Sequence, residues 1–362
     1  MTKERLEEMS VEKIGIACHK LQYSGGMERY TIDLINGFTD LGVSVTCFAK
    51  KFDRKLPEYN KIKPVPINTS WVPGKLRDQL FSYLLGIKRQ KTVSGPVITV
   101  TCDNHSEIAV CGGTHLGFLQ NVKKKANLSD RWRIDLEQKC YKSAKLIIAH
   151  SKLMAGELMQ LYGLPSEKIC VIYPPIDGTR FYPASSKGEK KKALDLPLNK
   201  KIFLFPSSSH TRKGYDLLEA YFSSSDLPIH LAVIGRPLPR TAKNIAYYGY
   251  HQDICPFYHA ADFTIMASIY EPFGLVAIES ILSGTPIIVS DKLGAQEVVS
   301  DDVKHVFESG NLVDLDRAIR QALGVDFGLP ENKQFLLKYD FSVENHCRQI
   351  LNYMFQHMSN VQ

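Results

Sequence analysis

Short apolar runs, each closed by a turn and followed by a helical periodicity, most restrict the folds open to this chain. Residues 13–18 (Lys-Ile-Gly-Ile-Ala-Cys) read as a buried strand and Ser24-Gly25-Gly26 as a turn. Met27, Tyr30, Leu34 and Phe38 then share one face of a helix that Gly42 ends. A second apolar run at 43–49 predicts the next strand. Strand, Gly-Gly turn, helix, strand is the opening of a doubly wound α/β domain, whose ligands bind beyond the carboxyl ends of the strands. The rhythm continues with helices at 129–141 and 152–162. It resumes after residue 200 with strands at 202–205, 229–234, 245–248, 263–266 and 286–289, and helices through Leu217–Phe222, at 253–260, from 275, at 312–323 and at 331–338. Between the halves, Tyr173-Pro174-Pro175-Ile176-Asp177-Gly178 is a stiff extended connection, because each proline fixes its own φ and restricts its predecessor. With 362 residues there is room for two cores. The expected class is α/β, divided at 1–173 and 174–340. A terminal helix within 341–362 carries Val343, Cys347, Ile350 and Met354 on one face.

Composition limits the partners. The sequence has no apolar run near 18 residues, and it opens with charged Met1-Thr2-Lys3-Glu4-Arg5, so neither a membrane span nor a signal peptide is expected. Eight scattered cysteines without a Cys-x-x-Cys pair imply reduced thiols and a cytoplasmic setting. Residues 1–150 hold 24 Lys and Arg against 15 Asp and Glu, a net +9, while the rest hold 21 against 23, a net −2. A basic half suggests an anionic partner. No base-stacking platform or groove-reading helix is evident, so nucleic acid is not expected, and an anionic lipid surface or glycolipid is preferred. At 71–92, Leu76, Leu80, Leu84 and Ile87 share a helical face ringed by Lys75, Arg77, Lys88, Arg89 and Lys91. The favoured reading is a surface helix with that face in the core; the alternative is a basic amphipathic helix in a membrane interface, to which Lys123-Lys124-Lys125 would add charge.

Four stretches carry candidate chemistry. In Ser268-Ile269-Tyr270-Glu271-Pro272-Phe273-Gly274-Leu275-Val276-Ala277-Ile278-Glu279, a polar turn leads into a helix whose apolar face is Leu275, Ile278, Ile281 and Leu282. The amides of Phe273 to Val276 would point at a ligand from the positive end of that helix, which suits a diphosphate. Glu271 and Glu279 are separated by about 12 Å at helical rise, near the span of a nucleotide diphosphate with a sugar at each end; an ordinary capped helix with two solvated glutamates is the plainer reading. Arg212-Lys213-Gly214 lies between a strand and a helix, where two cations would neutralise a diphosphate leaving group, or merely face solvent. Gly25-Gly26 is a turn or a point of close backbone approach to a ligand. Cys102, His105, Cys111 and His115 do not make a convincing zinc knuckle, since their spacer is short and strand-like. His115, after a strand and a Gly-Gly-Thr turn, is either a satisfied core histidine or a sugar-binding imidazole.

Glu271-Pro272-Phe273-Gly274-Leu275 through Glu279 resembles the E-x7-E signature of retaining GT-B glycosyltransferases of family 4. Arg212-Lys213-Gly214 is similar to that family's phosphate clamp, and Pro174-Pro175-Ile176-Asp177 with Phe181 to its interdomain stretch. The resemblance implies two Rossmann-like domains facing across a cleft, with the terminal helix returning to the first. It implies that Glu271, Phe273, Gly274, Leu275 and Val276 meet the donor sugar and diphosphate, and that Glu279 takes the ribose hydroxyls. Arg212 and Lys213 would clamp the phosphates, Gly25 and Gly26 would face them, and His115 would stand at the reaction centre beside the anomeric carbon. Residues Gly249-Tyr250-His251 fall where the family holds the base through backbone. The chain departs from many relatives in having Ser207 where they carry a further arginine, which resembles the lipopolysaccharide-core glucosyltransferase branch.

The expected activity is a retaining transfer of a hexose from a nucleotide-sugar, UDP-linked, to a saccharide or lipid-linked acceptor at the inner face of the cytoplasmic membrane. His115, Glu271, Arg212 and Lys213 form the catalytic set; no metal and no other cofactor is expected. A sugar-nucleotide epimerase on the same fold and a non-catalytic nucleotide-sugar binder are the alternatives.

Overall fold

The structure, a computed structural model, describes residues 11–23, 25–183, 186–238, 240, 242–325, 327 and 336–358. It divides into two compact units: Met1–Ile176 with Phe341–Gln362, and Asp177–Asp340.

The first unit is built on β1 (Lys13–Leu21), β2 (Ser44–Phe52), β3 (Ile62–Pro66), β4 (Val97–Thr99), β5 (Ile108–Cys111), β6 (Leu146–Ala149) and β7 (Ile169–Val171). They form one parallel sheet in the order β3-β2-β1-β4-β5-β6-β7. Its helices are α1 (Gly26–Asp40), α2 (Arg77–Thr92), α3 (His115–Asn121), α4 (Leu128–Ser143) and α5 (Lys152–Tyr162). Because side chains alternate along a strand, Ile14, Ile16, Cys18, Val45, Cys47 and Ala49 point to the side covered by α1, through Ile32, Leu34, Ile35 and Phe38. Ala17 and Phe48 point to the other side and pack with Phe81 and Leu85 of α2. Burial on both faces explains why these strands read as unbroken apolar runs.

The second unit holds α6 (Lys187–Ala193), β8 (Lys201–Ser207), α7 (Tyr215–Ser224), β9 (Ile229–Gly235), β10 (Ile245–Tyr247), α8 (Cys255–Ala260), β11 (Phe263–Met266), α9 (Leu275–Leu282), β12 (Ile287–Ser290), β13 (Lys304–Phe307) and α10 (Leu312–Leu323). Its parallel sheet runs β10-β9-β8-β11-β12-β13. In both sheets the order reverses beside the first strand, between β1 and β4 and between β8 and β11. Such a switch point opens a crevice at the carboxyl ends of the strands.

The last helix, α11 (Val343–Met358), belongs to the first unit. Cys347, Ile350 and Met354 join the core that α1 covers. At Gly37 of α1 a side chain would collide with Cys347 and Val343, so glycine sets how closely the two helices approach. His346 is buried, with Nε2 2.9 Å from the Tyr30 hydroxyl and Nδ1 2.9 Å from the Tyr173 carbonyl.

Two expectations change. The core-facing side of α2 is Phe81, Ser82, Leu85 and Gly86, not the Leu76, Leu80, Leu84 and Ile87 stripe. Gly86 admits the His105 ring and Phe81 reaches Phe48, so the helix is rotated by about one residue; Leu84 is partly buried, and Leu76 and Ile87 stay exposed. Of the helix expected at 331–338, residues 331–335 lie outside the described residues. Leu337 instead bridges Val299, and the Lys338 amide donates to the Val298 carbonyl.

Candidate functional site

In the second unit the site grows from the end of β8. The His210 Nε2–H donates to the Pro237 carbonyl at 2.9 Å, so Nδ1 accepts from the Ser207 hydroxyl at 2.9 Å, and the ring leans on Tyr215. Buried Ser207 thus braces the loop from within, at the position where an arginine is common in the family that the sequence resembles. Gly214 has φ +73°, and a side chain there would overlap the Ala267 carbonyl, so only glycine lets this loop lie against the end of β11. The Ile269 amide donates to the Arg212 carbonyl at 3.0 Å, which locks the two loops together.

This brings Arg212, Lys213 and Glu271 into one cluster. Arg212 Nη1 donates to Glu271 Oε2 at 2.8 Å and to the Tyr270 carbonyl at 3.1 Å; Lys213 Nζ is 3.5 Å from the same Oε2, and Ser268 Oγ also 3.5 Å. Every one of these side-chain contacts of Glu271 falls on Oε2, and among the described residues Oε1 has no partner. Burial pushes the Glu271 carboxyl up, but Lys213 and Arg212 outweigh it and hold the group below the usual carboxylate range. Its backbone is fixed as well: Glu271 N donates to the Lys292 carbonyl and its own carbonyl accepts from Gly294 N, both at 3.0 Å. Two cations share one carboxylate, so the cluster carries a net positive charge.

Gly274, at φ +95°, opens α9; a side chain there would strike Leu293. Leu275 and Val276 stand in the first helical turn, where the carbonyls four residues back lie outside the helix. Phe273 is buried and its carbonyl accepts from Ala295 N at 2.8 Å. Glu279, two turns on, is buried and accepts from the Tyr258 hydroxyl at 3.0 Å.

In the first unit Gly25 caps α1 in extended backbone and Gly26 is its first residue; both are exposed. The next residue, Met27, lies against Gly112 in the turn that follows β5. His115 begins α3 three residues further along. Thr114 Oγ1 accepts from Gly117 N at 3.0 Å and donates to Glu157 Oε2 at 2.5 Å. His115 N donates to Glu137 Oε2 at 2.9 Å, and the Tyr162 hydroxyl donates to the same oxygen at 2.5 Å. The imidazole Nε2 is 2.9 Å from Asp130 Oδ1, and the ring stacks on Phe118. His105 and His115 therefore go to different partners, and among the described residues no three His, Cys, Asp or Glu side chains gather as a metal set. Asp130, Glu137 and Glu157 were not among the residues that the sequence singled out. The signal for two of them was present, since Asp130 and Glu137 are seven residues apart on one face of a helix that was expected there.

Residues 24–180 match the family described as Glycosyltransferase Family 4, and residues 186–332 match Glycosyl transferases group 1. A probable transglycosylase of Burkholderia thailandensis is 41% identical over 349 residues, covering 94% of this chain and 96% of that protein. The chain belongs to the glycosyltransferases that pair these two domains, and it has their GT-B architecture of two parallel-sheet, Rossmann-like units. Among solved structures, WaaG, a glycosyltransferase involved in lipopolysaccharide biosynthesis, is similar in fold with a TM-score of 0.74 at 15% identity, over 96% of this chain and 98% of that one. Anabaena HepE, solved with UDP and glucose, gives 0.66 at 16% identity, over 97% and 100%. Among the described residues no helix is long and apolar enough to cross a membrane.

Proposed function

We propose that this glycosyltransferase moves a hexose from UDP to a saccharide or lipid-linked acceptor with retention of configuration, in the assembly of a lipopolysaccharide core or another cell-surface glycan. The observation that carries the donor half is the under-neutralised cluster: Arg212 and Lys213, both against the single carboxylate of Glu271, beside the first turn of α9. An incoming diphosphate supplies the missing negative charge, and the fixed cations stabilise the further charge that develops as it leaves. Glu271 keeps Oε1 for hydroxyls of the donor sugar while Oε2 holds the cations in place. Glu279 takes the ribose hydroxyls, Gly25 and Gly26 face the phosphates, and His115 serves the reaction centre. The bond from the anomeric carbon to the phosphate oxygen breaks, the acceptor oxygen bonds to the same face of that carbon, and its proton passes to the departing phosphate. This step needs no separate nucleophile, and no metal enters it.

The HepE complex with UDP and glucose supports a UDP donor, and the likeness to WaaG supports a lipopolysaccharide setting. The acceptor half rests on the first unit. Trp71 (70% exposed) and Tyr83 (63%) stand with Leu76 and Ile87 beside Lys75, Arg77 and Lys91, which suits the inner face of an anionic membrane. Protection against thermal unfolding by UDP-, GDP- and ADP-sugars tests the donor, since a ligand binding only the folded state raises stability as ln(1 + [L]/Kd). Protection by a GDP- or ADP-sugar alone refutes the UDP assignment. The anomeric configuration of the product, read by NMR, tests retention; an inverted product refutes it.

A further inference from the structure

The turn that carries His115 is anchored more firmly than a solvent-facing loop requires. Its backbone is tied to Glu137, its capping threonine to Glu157, and its imidazole to Asp130. Asp130 divides its carboxylate between two tasks. Oδ2 accepts the Asn127 amide at 3.0 Å, half of the capping box that starts α4, and Oδ1 lies 2.9 Å from His115 Nε2.

We propose that Asp130 is a positioning residue for His115: by accepting the Nε2–H it fixes one tautomer of the imidazole and leaves Nδ1, with its lone pair, to accept a hydrogen bond from a sugar hydroxyl. An ionised carboxylate can only accept, so the ring nitrogen facing it must carry the hydrogen. The Asn127 amide first, and then His115 and Lys124, hold the Asp130 carboxyl below its ordinary range, which keeps it in the accepting form. Stacking on Phe118, with the planes 30° apart, limits rotation of the ring. Among the described residues Nδ1 has no partner. The turn lies beyond the carboxyl end of β5 and meets the start of α1 through Gly112 and Met27, on the edge of the sheet where ligands of this architecture bind. The charged groups around the ring are Asp130 of α4 with Lys124 at 3.9 Å, and behind the turn Glu137 of α4, with Arg133 at 3.6 Å, and Glu157 of α5.

The use of Nδ1 in transfer rests on the function proposed above; the tautomer does not. The test takes the full chain with 15N-labelled histidine, and His115→Gln identifies the signals of His115. The expected wild-type spectrum shows a protonated Nε2 and an unprotonated Nδ1, and Asp130→Asn, whose amide can donate, mixes or reverses the two. The same variant is expected to lower kcat at least about tenfold, with about 10⁴ as the ceiling set by a catalytic triad that loses the carboxylate of its His–Asp pair, and to leave KM for the nucleotide-sugar within about twofold. Asp130→Glu restores part of the rate. Asn127→Ala removes the other half of the capping box without touching the ring, so it is expected to lower Tm and to hold kcat within about twofold. A wild-type spectrum with the hydrogen on Nδ1 overturns the proposal before any variant is made. So does a loss of kcat in Asn127→Ala equal to that in Asp130→Asn, or an unchanged kcat in Asp130→Asn. If His115→Gln also turns over at the wild-type rate, the reading of the site has failed together with the positioning role. If His115→Gln is slow, only the positioning role has failed.

Discussion

Two sheets with the same switch point carry loops of different polar character. In the first unit the turn after β5 is held by acids: Glu137, Glu157 and Asp130 accept from a backbone amide, two hydroxyls and an imidazole. In the second unit the loops after β8 and β11 are held by two cations that, among the described residues, share one carboxylate, that of Glu271. A wall whose donors and acceptors are matched shapes a surface. A wall left with surplus charge in partial burial calls for a counter-ion, because an unneutralised charge away from water is costly. The same topology therefore hosts a shaping side and a charge-binding side, and the difference comes from short loops rather than from the sheets.

That contrast can be broken at several points. The largest effect is expected from Arg212→Ala combined with Lys213→Ala, which should lower turnover by about 10³-fold or more, since each donor facing a developing oxyanion contributes about 10²–10³-fold. Steady-state kinetics checks it, and a normal rate would remove the phosphate clamp. Gly214→Ala forces a side chain onto the Ala267 carbonyl at φ +73°, and should destabilise the second unit by about 3 kcal/mol or more. Hydrogen exchange read separately for peptides of each unit is the suitable measurement, because a two-unit chain need not unfold in one step. In the first unit Glu137→Ala strands two donors, the His115 amide and the Tyr162 hydroxyl, at a cost of about 2–4 kcal/mol. If urea melts show no loss, the acids of this wall are not structural. Glu279→Ala should weaken nucleotide binding by about 1–3 kcal/mol, the scale of lost charge-assisted hydrogen bonds, as read by calorimetry.

Acid is expected to separate the units least. Burial pushes His150 down to about 3 and His346 to about 4 in the first unit, and His230 to about 4 in the second. The unfolded chain binds these protons near pH 6.5 and the folded chain does not. Their contribution is therefore complete above about pH 6.5 and falls away as the pH drops towards 4. Chemical denaturation between pH 7 and 4 should show both units weakening; loss confined to one would show that other groups dominate.

Much of this was legible beforehand because buried parallel strands are apolar on both faces and end in glycine turns. The helices at 152–162 and 312–323 have their observed bounds for that reason, with Gly163 in left-handed backbone closing the first. The strand at 62–66 was missed because Pro64 and Pro66 argue against a strand, although β3 stands at the sheet edge, where missing amides are tolerated. The orientation of α2 was misread because leucine spacing is silent about which neighbour is glycine, and Gly86 is what lets His105 approach. In the second unit the pairing of Arg212 with Glu271 joins residues 59 apart, so spacing could suggest both residues but not their contact. Ser207 stood out only as the absence of a cation, whereas its use depends on His210 folding back over it.

The return of α11 to the first unit also has a consequence for how the protein is made. The helix that covers Gly37 is encoded after all of the second unit, so the first half to leave the ribosome cannot finish its core until the second unit and this helix have been synthesised. The later half can close first. A stop codon a few residues before Val343 would spare every residue of the cation cluster and yet leave a greasy groove along α1, a lesion that quality-control proteases would find before any assay of sugar transfer did.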